Sequence, residues 1–344
     1  MKKTYIILST VVLFILVLAG SYMMWDKSDP KNTCARCHEI APAHAKWTTS
    51  AHAGVRCSEC HGTAFSDGMH SFMDKANMVF VHFTQDIQNE DIHLNEEQVL
   101  EISNRCIACH QAEYAGWLRS GHAVNYKEIF MDSAHNAMEK PYWDCLRCHG
   151  MYYDGNIDNL MSLNGNDPNQ WKIRDEKQEM RTAIPCLACH QMHTDNPHSE
   201  RYVSMNGCTR KLDERNPVTA LYVRAEKMHL RSDMLPKAQM LDGDKEVTTP
   251  SDPNTQLCMQ CHAPNFKHQA GSDDDRTVTG VHEGISCIAC HQPHSGDTKA
   301  SCAQCHPTLS AEQMESVYNQ PHSYNLQIEK DSSGKNLLLN HSQK

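Results

Sequence analysis

The sequence predicts a mainly α-helical chain with extensive irregular coil, headed by one N-terminal transmembrane helix. Three observations carry that expectation: an apolar run near the N-terminus, a thin supply of side-chain core, and a five-residue cysteine-histidine unit that recurs eight times. Only 7% of the 344 residues are aromatic. A chain of this length with so few large apolar side chains needs some other material to fill its interior. The repeated unit identifies that material.

The unit is Cys-x-x-Cys-His, found at Cys34, Cys37 and His38; Cys57, Cys60 and His61; Cys106, Cys109 and His110; Cys145, Cys148 and His149; Cys186, Cys189 and His190; Cys258, Cys261 and His262; Cys287, Cys290 and His291; and Cys302, Cys305 and His306. Two thiols about one helical turn apart reach the porphyrin edge and add across its vinyl groups, and the adjacent imidazole falls under the iron. A single match is equally a redox dithiol or half a zinc site. Eight matches point to eight covalently bound haem c groups, with the motif histidines as proximal ligands. Of 17 cysteines only Cys208 lies outside the motifs, so no disulfide framework is expected. The fold class is therefore a multihaem cytochrome c architecture, short helices and coil around a chain of packed haems, with about 43 residues to each of eight haems.

Residues 1–25 form the expected anchor. A basic head, Met1 to Lys3, precedes an apolar run from Tyr5 to Met24, long enough to cross a bilayer as a helix of ~20 residues. A cleaved secretory signal is the competing reading. The run is long for that, and its nearest cleavage site, Ala19-Gly20-Ser21, is poor. Ser21 also stands where a lipoprotein carries its lipidated Cys. With Lys2 and Lys3 held in the cytoplasm, the remainder faces the periplasm from the inner membrane.

Residues 26–95 carry two motifs and the string Trp47-Thr-Thr-Ser50-Ala-His52-Ala-Gly-Val-Arg-Cys57. In anchor, motif spacing and this string, residues 1–90 resemble the NapC/NirT/NrfH family of membrane-anchored quinol dehydrogenase cytochromes. The family often carries Met two residues after the first motif's His. Here that position is Ile40, so the far-side ligand of the first haem does not carry over. From Ser66 to Gln85 the residues Met69, Phe72, Met73, Ala76, Val79, Phe80 and Phe83 recur at helical spacing, an amphipathic helix with Lys75 and His82 on one side. The resemblance implies that this helix lies near the membrane and contributes a Lys to the quinol site. Lys75 is the candidate, and a solvated Lys beside a haem-packing stripe is the alternative.

Residues 96–200 form a central trihaem region. Here Trp117-Leu-Arg-Ser120-Gly-His122-Ala repeats the frame of His52, and Tyr318-Asn-Gln-Pro-His322 is a looser copy. His52 and His282 each stand five residues before a motif. His193 and His294 each stand three residues after a motif His. Such recurrence points to a duplicated module in which a second His reaches an iron. With His82 and with His135 in Asp132-Ser-Ala-His135, these give eight candidate distal ligands: His52, His82, His122, His135, His193, His282, His294 and His322. For His44, His70, His93, His198, His229, His268 and His341 a surface or core role weighs at least as much.

Residues 201–257 are a haem-free insertion within the longest span lacking a motif. It holds Cys208, a basic cluster (Arg210, Lys211, Arg215, Arg224, Lys227, Arg231) and a Met240-Leu-Asp-Gly-Asp-Lys turn suited to a small hairpin. A flap over haem edges is favoured above a substrate pocket. Asp252-Pro253 reads as N-cap and first-turn Pro of the helix bearing Cys258. Residues 258–344 form a second trihaem region. Its tail around Asp331-Ser-Ser-Gly-Lys335 is a hairpin or frayed.

A formal charge of -10, before any haem propionates, argues against nucleic acid as a partner. The 23 histidines, less eight proximal ones, leave 15 for far-side ligation, and a fully ligated iron has no place for substrate. No motif ends in Lys, the variant multihaem nitrite reductases commonly use at a catalytic haem. The reading is a carrier above an enzyme: a cytochrome that moves electrons between the quinone pool and a periplasmic redox protein or reductase. Its rivals are an octahaem reductase or dehydrogenase of a small nitrogen or sulfur compound (nitrite, hydroxylamine, tetrathionate) with one open haem, and a structural electron-transfer subunit of a respiratory complex or filament.

Overall fold

Helix α1 runs from Lys2 to Asp26, a little beyond the expected span at both ends. Its side chains are exposed along the apolar stretch. A window of 22 residues within it is long and apolar enough to cross a membrane, a test that a signal sequence also passes. In this computed structural model the described residues are 2–63, 66, 69–87, 92–138, 140–193, 202–205, 208–211, 220–237, 239–242, 245–262, 282–295, 299–310, 312–313, 328–330 and 336–338.

After two 3-10 turns, Pro30–Asn32 and Cys34–Arg36, the chain forms α2 (Ala41–Thr49), α3 (Cys57–His61), α4 (Met69–Thr84), α5 (Glu96–Cys106), α6 (Gln111–Trp117), α7 (Tyr126–Phe130), α8 (Ser133–Met138), α9 (Cys145–Cys148) and α10 (Ile157–Leu160). Strand β1 (Met161–Ser162) pairs with β2 (Lys172–Ile173), and α11 (Glu176–Glu179) follows. Three hairpins come next: β3 (Tyr202–Met205) with β4 (Cys208–Lys211), β5 (Ala220–Val223) with β6 (Met228–Arg231), and β7 (Met240–Asp242) with β8 (Lys245–Val247). Helices α12 (Pro253–His262), α13 (Cys287–Cys290) and α14 (Lys299–Cys305) carry the last three motifs, and β9 (Ile328–Lys330) pairs with β10 (Asn336–Leu338). The fold is thus helix and coil with small antiparallel hairpins, in agreement with the sequence.

Several local expectations are met for the stated reasons. Asp252 accepts the Thr255 N–H at 2.9 Å, capping α12 with Pro253 at its first position. The turn after Met240 is the β7–β8 hairpin, with Asp242 opposite Lys245. In the tail Lys330 pairs with Asn336, the hairpin alternative, and residues 331–335 between them lie outside the described ones. Helix α4 covers the expected amphipathic stretch, and Phe72, Met73, Val79, Phe80 and Phe83 on it are exposed.

The chain divides into two units, both discontinuous in sequence. The first comprises Met1–Ala115, His122–His198 and Arg215–Arg231; the second comprises Gly116–Gly121, Ser199–Glu214 and Ser232–Lys344. The first holds a conventional side-chain core built on α7, α9, α10 and the β1–β2 pair, with Tyr126, Phe130, Leu146, Leu160, Met161 and Trp171 nearly or fully buried. Haem was expected to be the main hydrophobic content of the chain, and this side-chain core stands beside that expectation. It forms because this stretch concentrates aromatic and branched residues that close on one another. The second unit has a smaller cluster, Met240, Val247 and Met259, where its β7–β8 hairpin meets α12.

A buried polar triad ties α5 to that core. Asn95 and Gln98 cap α5 reciprocally, and Glu96 then accepts hydrogen bonds from Tyr126 Oη at 2.5 Å and Arg181 Nη1 at 2.7 Å. Burial, reinforced by the Glu96 carboxylate, pushes the Tyr126 phenol up, so it stays a donor. Tyr126→Phe leaves the buried carboxylate one bond short. We expect a loss of about 2 kcal/mol, read as a lower midpoint in thermal unfolding followed by circular dichroism.

Candidate haem centres

Each motif is one turn of helix. The motif His N–H closes on the carbonyl of the first cysteine at 2.9 Å in the third and fourth motifs, 3.1 Å in the fifth, and 2.8 Å in the seventh and eighth. The second lies wholly in α3 and the sixth in α12. The first is looser, a 3-10 turn in which Cys37 N–H reaches Cys34 at 3.5 Å. One turn brings side chains three apart to the same side, about 5–6 Å from each other. That is the arrangement two thioethers to one ring require.

Burial raises the pKa of the thiols, taking Cys106 and Cys189 to about 11 and lifting Cys37, Cys57, Cys60 and Cys186 as well. Neighbouring motifs add to the same shifts: Cys34 to that of Cys57, Cys109 to that of Cys60, and Cys186 and Cys60 to that of Cys106. Helix α3 packs on α5, and α5 on the turn Cys186–Ala188. The first, second, third and fifth motifs are therefore successive neighbours within the first unit. In the second unit α12 packs on α13 and α13 on α14, linking the last three.

The expectation of no disulfide is corrected at one position. Cys305 is disulfide-bonded, whereas the other motif cysteines are thiols. Cys258 and Cys261 are among those thiols, both half-buried and one turn apart on α12. A thioether at the eighth motif requires the Cys305 bond to be reduced first. The sequence arithmetic missed this because pairing depends on approach in space, not on the count of spare cysteines.

The histidines are the more informative ligands. Four motif histidines each face a second imidazole, with ring centres 5.7 Å apart for His38 and His82, 6.0 Å for His110 and His52, 5.8 Å for His61 and His193, and 6.0 Å for His306 and His282. An iron between two axial imidazoles needs two bonds of about 2 Å, plus about 1 Å from each nitrogen to its ring centre, so roughly 6 Å in total. That spacing suits haem held from both sides at the second, third and eighth motifs, whereas at the first Glu39 Oε1 stands between the rings, 2.6 Å from His82 Nδ1 and 3.5 Å from His38 Nε2. Burial, then His193, Lys75 and Arg105, pulls His61 down to about 4. His52 and His193 are lowered by burial first as well. All three are neutral near pH 7, the form that ligates metal.

These pairs belong to the first, second, third and eighth motifs. At the other four motifs the described residues define the near side through the motif turn. His149 donates its N–H to the Cys145 carbonyl at 2.9 Å and is exposed. His190 donates to Cys186 at 3.1 Å and is half-buried. His291 donates to Cys287 at 2.8 Å, and His262, after Cys261, ends α12. The fifth motif is also held from a distance, since Ala220 at the start of β5 donates its N–H to the Cys189 carbonyl at 3.1 Å.

The partners cross the sequence order. His52, between the first and second motifs, meets the third; His193, after the fifth, meets the second. Among the remaining candidates His122 and His294 are half-buried and His135 is exposed. His322 lies outside the described residues. So do His198, His268 and His341, and the His70 side chain. The His44 ring lies against Trp47 in a tilted contact, ring centres 5.4 Å apart. His229, given little weight from sequence, is held by Tyr152 Oη at 3.1 Å and the Leu187 carbonyl at 2.7 Å, with Tyr222 stacked on Tyr152 at 3.9 Å.

Lys75 is half-buried, its Nζ donating to the His61 carbonyl at 3.2 Å, which places it beside the second motif. Arg224, in the basic cluster, donates to the carbonyls of Gly150, Met151, Tyr153 and Gly155, fastening the β5–β6 hairpin to the loop after the fourth motif. That is a structural use, in line with a flap. Sequence reading missed Glu39, which is buried and hydrogen-bonded to His82 Nδ1 at 2.6 Å. Cys37, Glu39 and His82 present ligand atoms within 4.8 Å of one another. The available signal was an acid directly after a motif His.

Helical Cys-x-x-Cys-His turns repeated along the chain and facing imidazoles define a multihaem c-type cytochrome, an electron-transfer protein with covalently bound haem c. Within that class, residues 105–191 and 223–292 match the family model described as cytochrome c554 and c-prime, and the matched segments include the third to seventh motifs. No curated protein and no solved structure matches the chain.

Proposed function

We propose that this chain is an octahaem cytochrome c, anchored in the inner membrane by α1 with its haem-bearing part in the periplasm, passing electrons between the quinone pool and a periplasmic redox partner. The observation that carries the reading is the set of facing histidine pairs at the second, third and eighth motifs: an iron held on both sides exchanges electrons and has no coordination position for substrate. Haem supplies the one-electron Fe(III)/Fe(II) couple. The chain supplies the rest. Sixteen motif cysteines attach the rings, the motif histidines ligate from the near side, and His52, His193 and His282 from the far side. His122, His135, His294 and His322 are the candidates to face His149, His190, His262 and His291. The adjacency of the first, second, third and fifth motifs supports a continuous route away from the membrane-proximal end.

Lys75, at the second motif, is the proposed quinol-side cation. Lys75→Met is expected to lower quinol-analogue oxidation about tenfold, ~1.4 kcal/mol in transition-state binding, with haem content unchanged. An unaltered rate removes Lys75 from the site.

The test of the whole reading combines three measurements on full-length protein in detergent. Mass spectrometry should find eight haems, with Cys305 carrying a thioether. Electron paramagnetic resonance should show low-spin iron throughout or nearly so. Electron exchange with a quinol analogue should outpace reduction of nitrite or hydroxylamine. Seven haems with Cys305 still in a disulfide would correct the count, and a high-spin haem that binds nitrite readily would make the chain a reductase.

A further inference from the structure

Helix α3 is the second motif itself, and it stops at His61 because Gly62 follows at φ +66, in the left-handed region. The last carbonyls of so short a helix have no partner within it. Two cations from elsewhere in the first unit answer them. Arg105 Nη1 donates to the Cys60 carbonyl at 3.2 Å, and Lys75 Nζ donates to the His61 carbonyl at 3.2 Å. Gly62 also makes room for the guanidinium, since a Cβ there would press on Ser66 Oγ and stand 2.8 Å from Arg105 Nη2. The Arg105 side chain is 20% exposed, with Glu101 Oε2 farther off at 3.9 Å. Glu59, the acid inside the motif, is 48% exposed and paired with Arg56 at 3.0 Å. The guanidinium is thus the less solvated of these charges, and water screens it less. In agreement, Lys75 and Arg105 follow burial and His193 among the causes that pull His61 down to about 4.

We infer that Arg105, one residue before the third motif, is a positioning residue for the second haem: it caps α3 at Cys60, and its positive charge holds that haem's potential up. The inference rests on the reading that Cys57, Cys60 and His61 carry a haem. Two physical effects give it the same sign. A positive charge near the iron, poorly screened because it is largely buried, favours Fe(II), the state with one positive charge fewer. A cation at the backbone of a ligating His also makes the imidazole a weaker donor, the reverse of what a carboxylate partner does. Because the bond runs from α5 to α3, which pack on each other, the same side chain ties the second motif to the third.

The experiment is a redox titration of the full-length holoprotein in detergent, followed by visible absorption and electron paramagnetic resonance, for Arg105→Gln and Arg105→Lys. His193→Met and the pair Cys57→Ala and Cys60→Ala identify the second haem, the first by altering its signal and the pair by removing it. In Arg105→Gln that haem should stay low-spin while its reduced-to-oxidised ratio at fixed potential falls about tenfold, about 59 mV for one electron. Arg105→Lys, which keeps the charge, should recover most of the shift. The shift should vanish once Cys57 and Cys60 are replaced. An unmoved potential, or an Arg105→Lys variant that matches Arg105→Gln, overturns the inference. So does a shift that survives removal of the second haem, which would put the effect on the third. If His193→Met changes no spectrum, the far-side ligation has failed, and Arg105 is still judged by whether removing Cys57 and Cys60 abolishes its shift. If mass spectrometry of the unsubstituted protein finds no haem on Cys57 and Cys60, the reading beneath the inference has failed with it.

Discussion

Replacing His193 by Met is expected to convert one haem from two imidazoles to His/Met ligation and raise its potential by on the order of 0.1–0.3 V, within the roughly 0.8 V that axial ligands span. The affected haem should be that of the second motif, because the His193 ring faces His61 at 5.8 Å although it follows the fifth motif in sequence. The assignment is checked by removing the second haem with Cys57→Ala and Cys60→Ala. In that background the His193→Met signal should vanish, and its persistence would place His193 on another iron. His52→Met provides the companion result at the third motif, since His52 faces His110 at 6.0 Å. Neither variant should disturb the haem nearest to it in sequence; for His193 that is the haem of His190. That distinguishes these crossed partners from the local ligation the spacing alone allows.

Leu146→Ala is expected to lower stability by about 3 kcal/mol, roughly 5–10 °C in the midpoint of thermal unfolding. Leu146 lies inside the fourth motif and is 1% exposed in the core of α7, α9 and α10. Its truncation leaves a cavity next to the two cysteines that hold the fourth ring, so haem occupancy there should fall with stability. Gly150→Ala strains the same place from the opposite side. At φ +139 the new Cβ would stand 2.9 Å from Leu146 Cδ2 and 3.2 Å from Tyr126 Cε1, and the backbone conformation itself disfavours an L side chain. The double variant should cost less than the two single losses combined, because Leu146→Ala removes the closest clash. Strict additivity in thermal melts would mean that the two residues do not share one packing site.

Residue types and short spacing were enough to establish the cofactor class, the helical turn at each motif, the apolar N-terminal helix, the α4 amphipathic stretch, the Asp252 cap and the β7–β8 hairpin. All of these are local: a thiol pair three apart, an apolar period or a capping side chain acts within one or two turns, so the chain writes them directly. The candidate His list was also legible, because repeated frames mark His52, His193 and His282, and helix spacing marked His82. Tertiary structure alone decided which imidazole faces which motif. His193 reaches past the third and fourth motifs to the second, and His52 reaches forward to the third, since the elements that bring them together, α3 on α5 and α5 on the fifth motif's turn, are long-range contacts that no periodicity encodes. The same reason hid Glu39, whose neighbour His82 is supplied by a helix remote in sequence. It hid the disulfide at Cys305 and the side-chain core around Leu146 too, because burial and approach are properties of the folded chain rather than of any one segment.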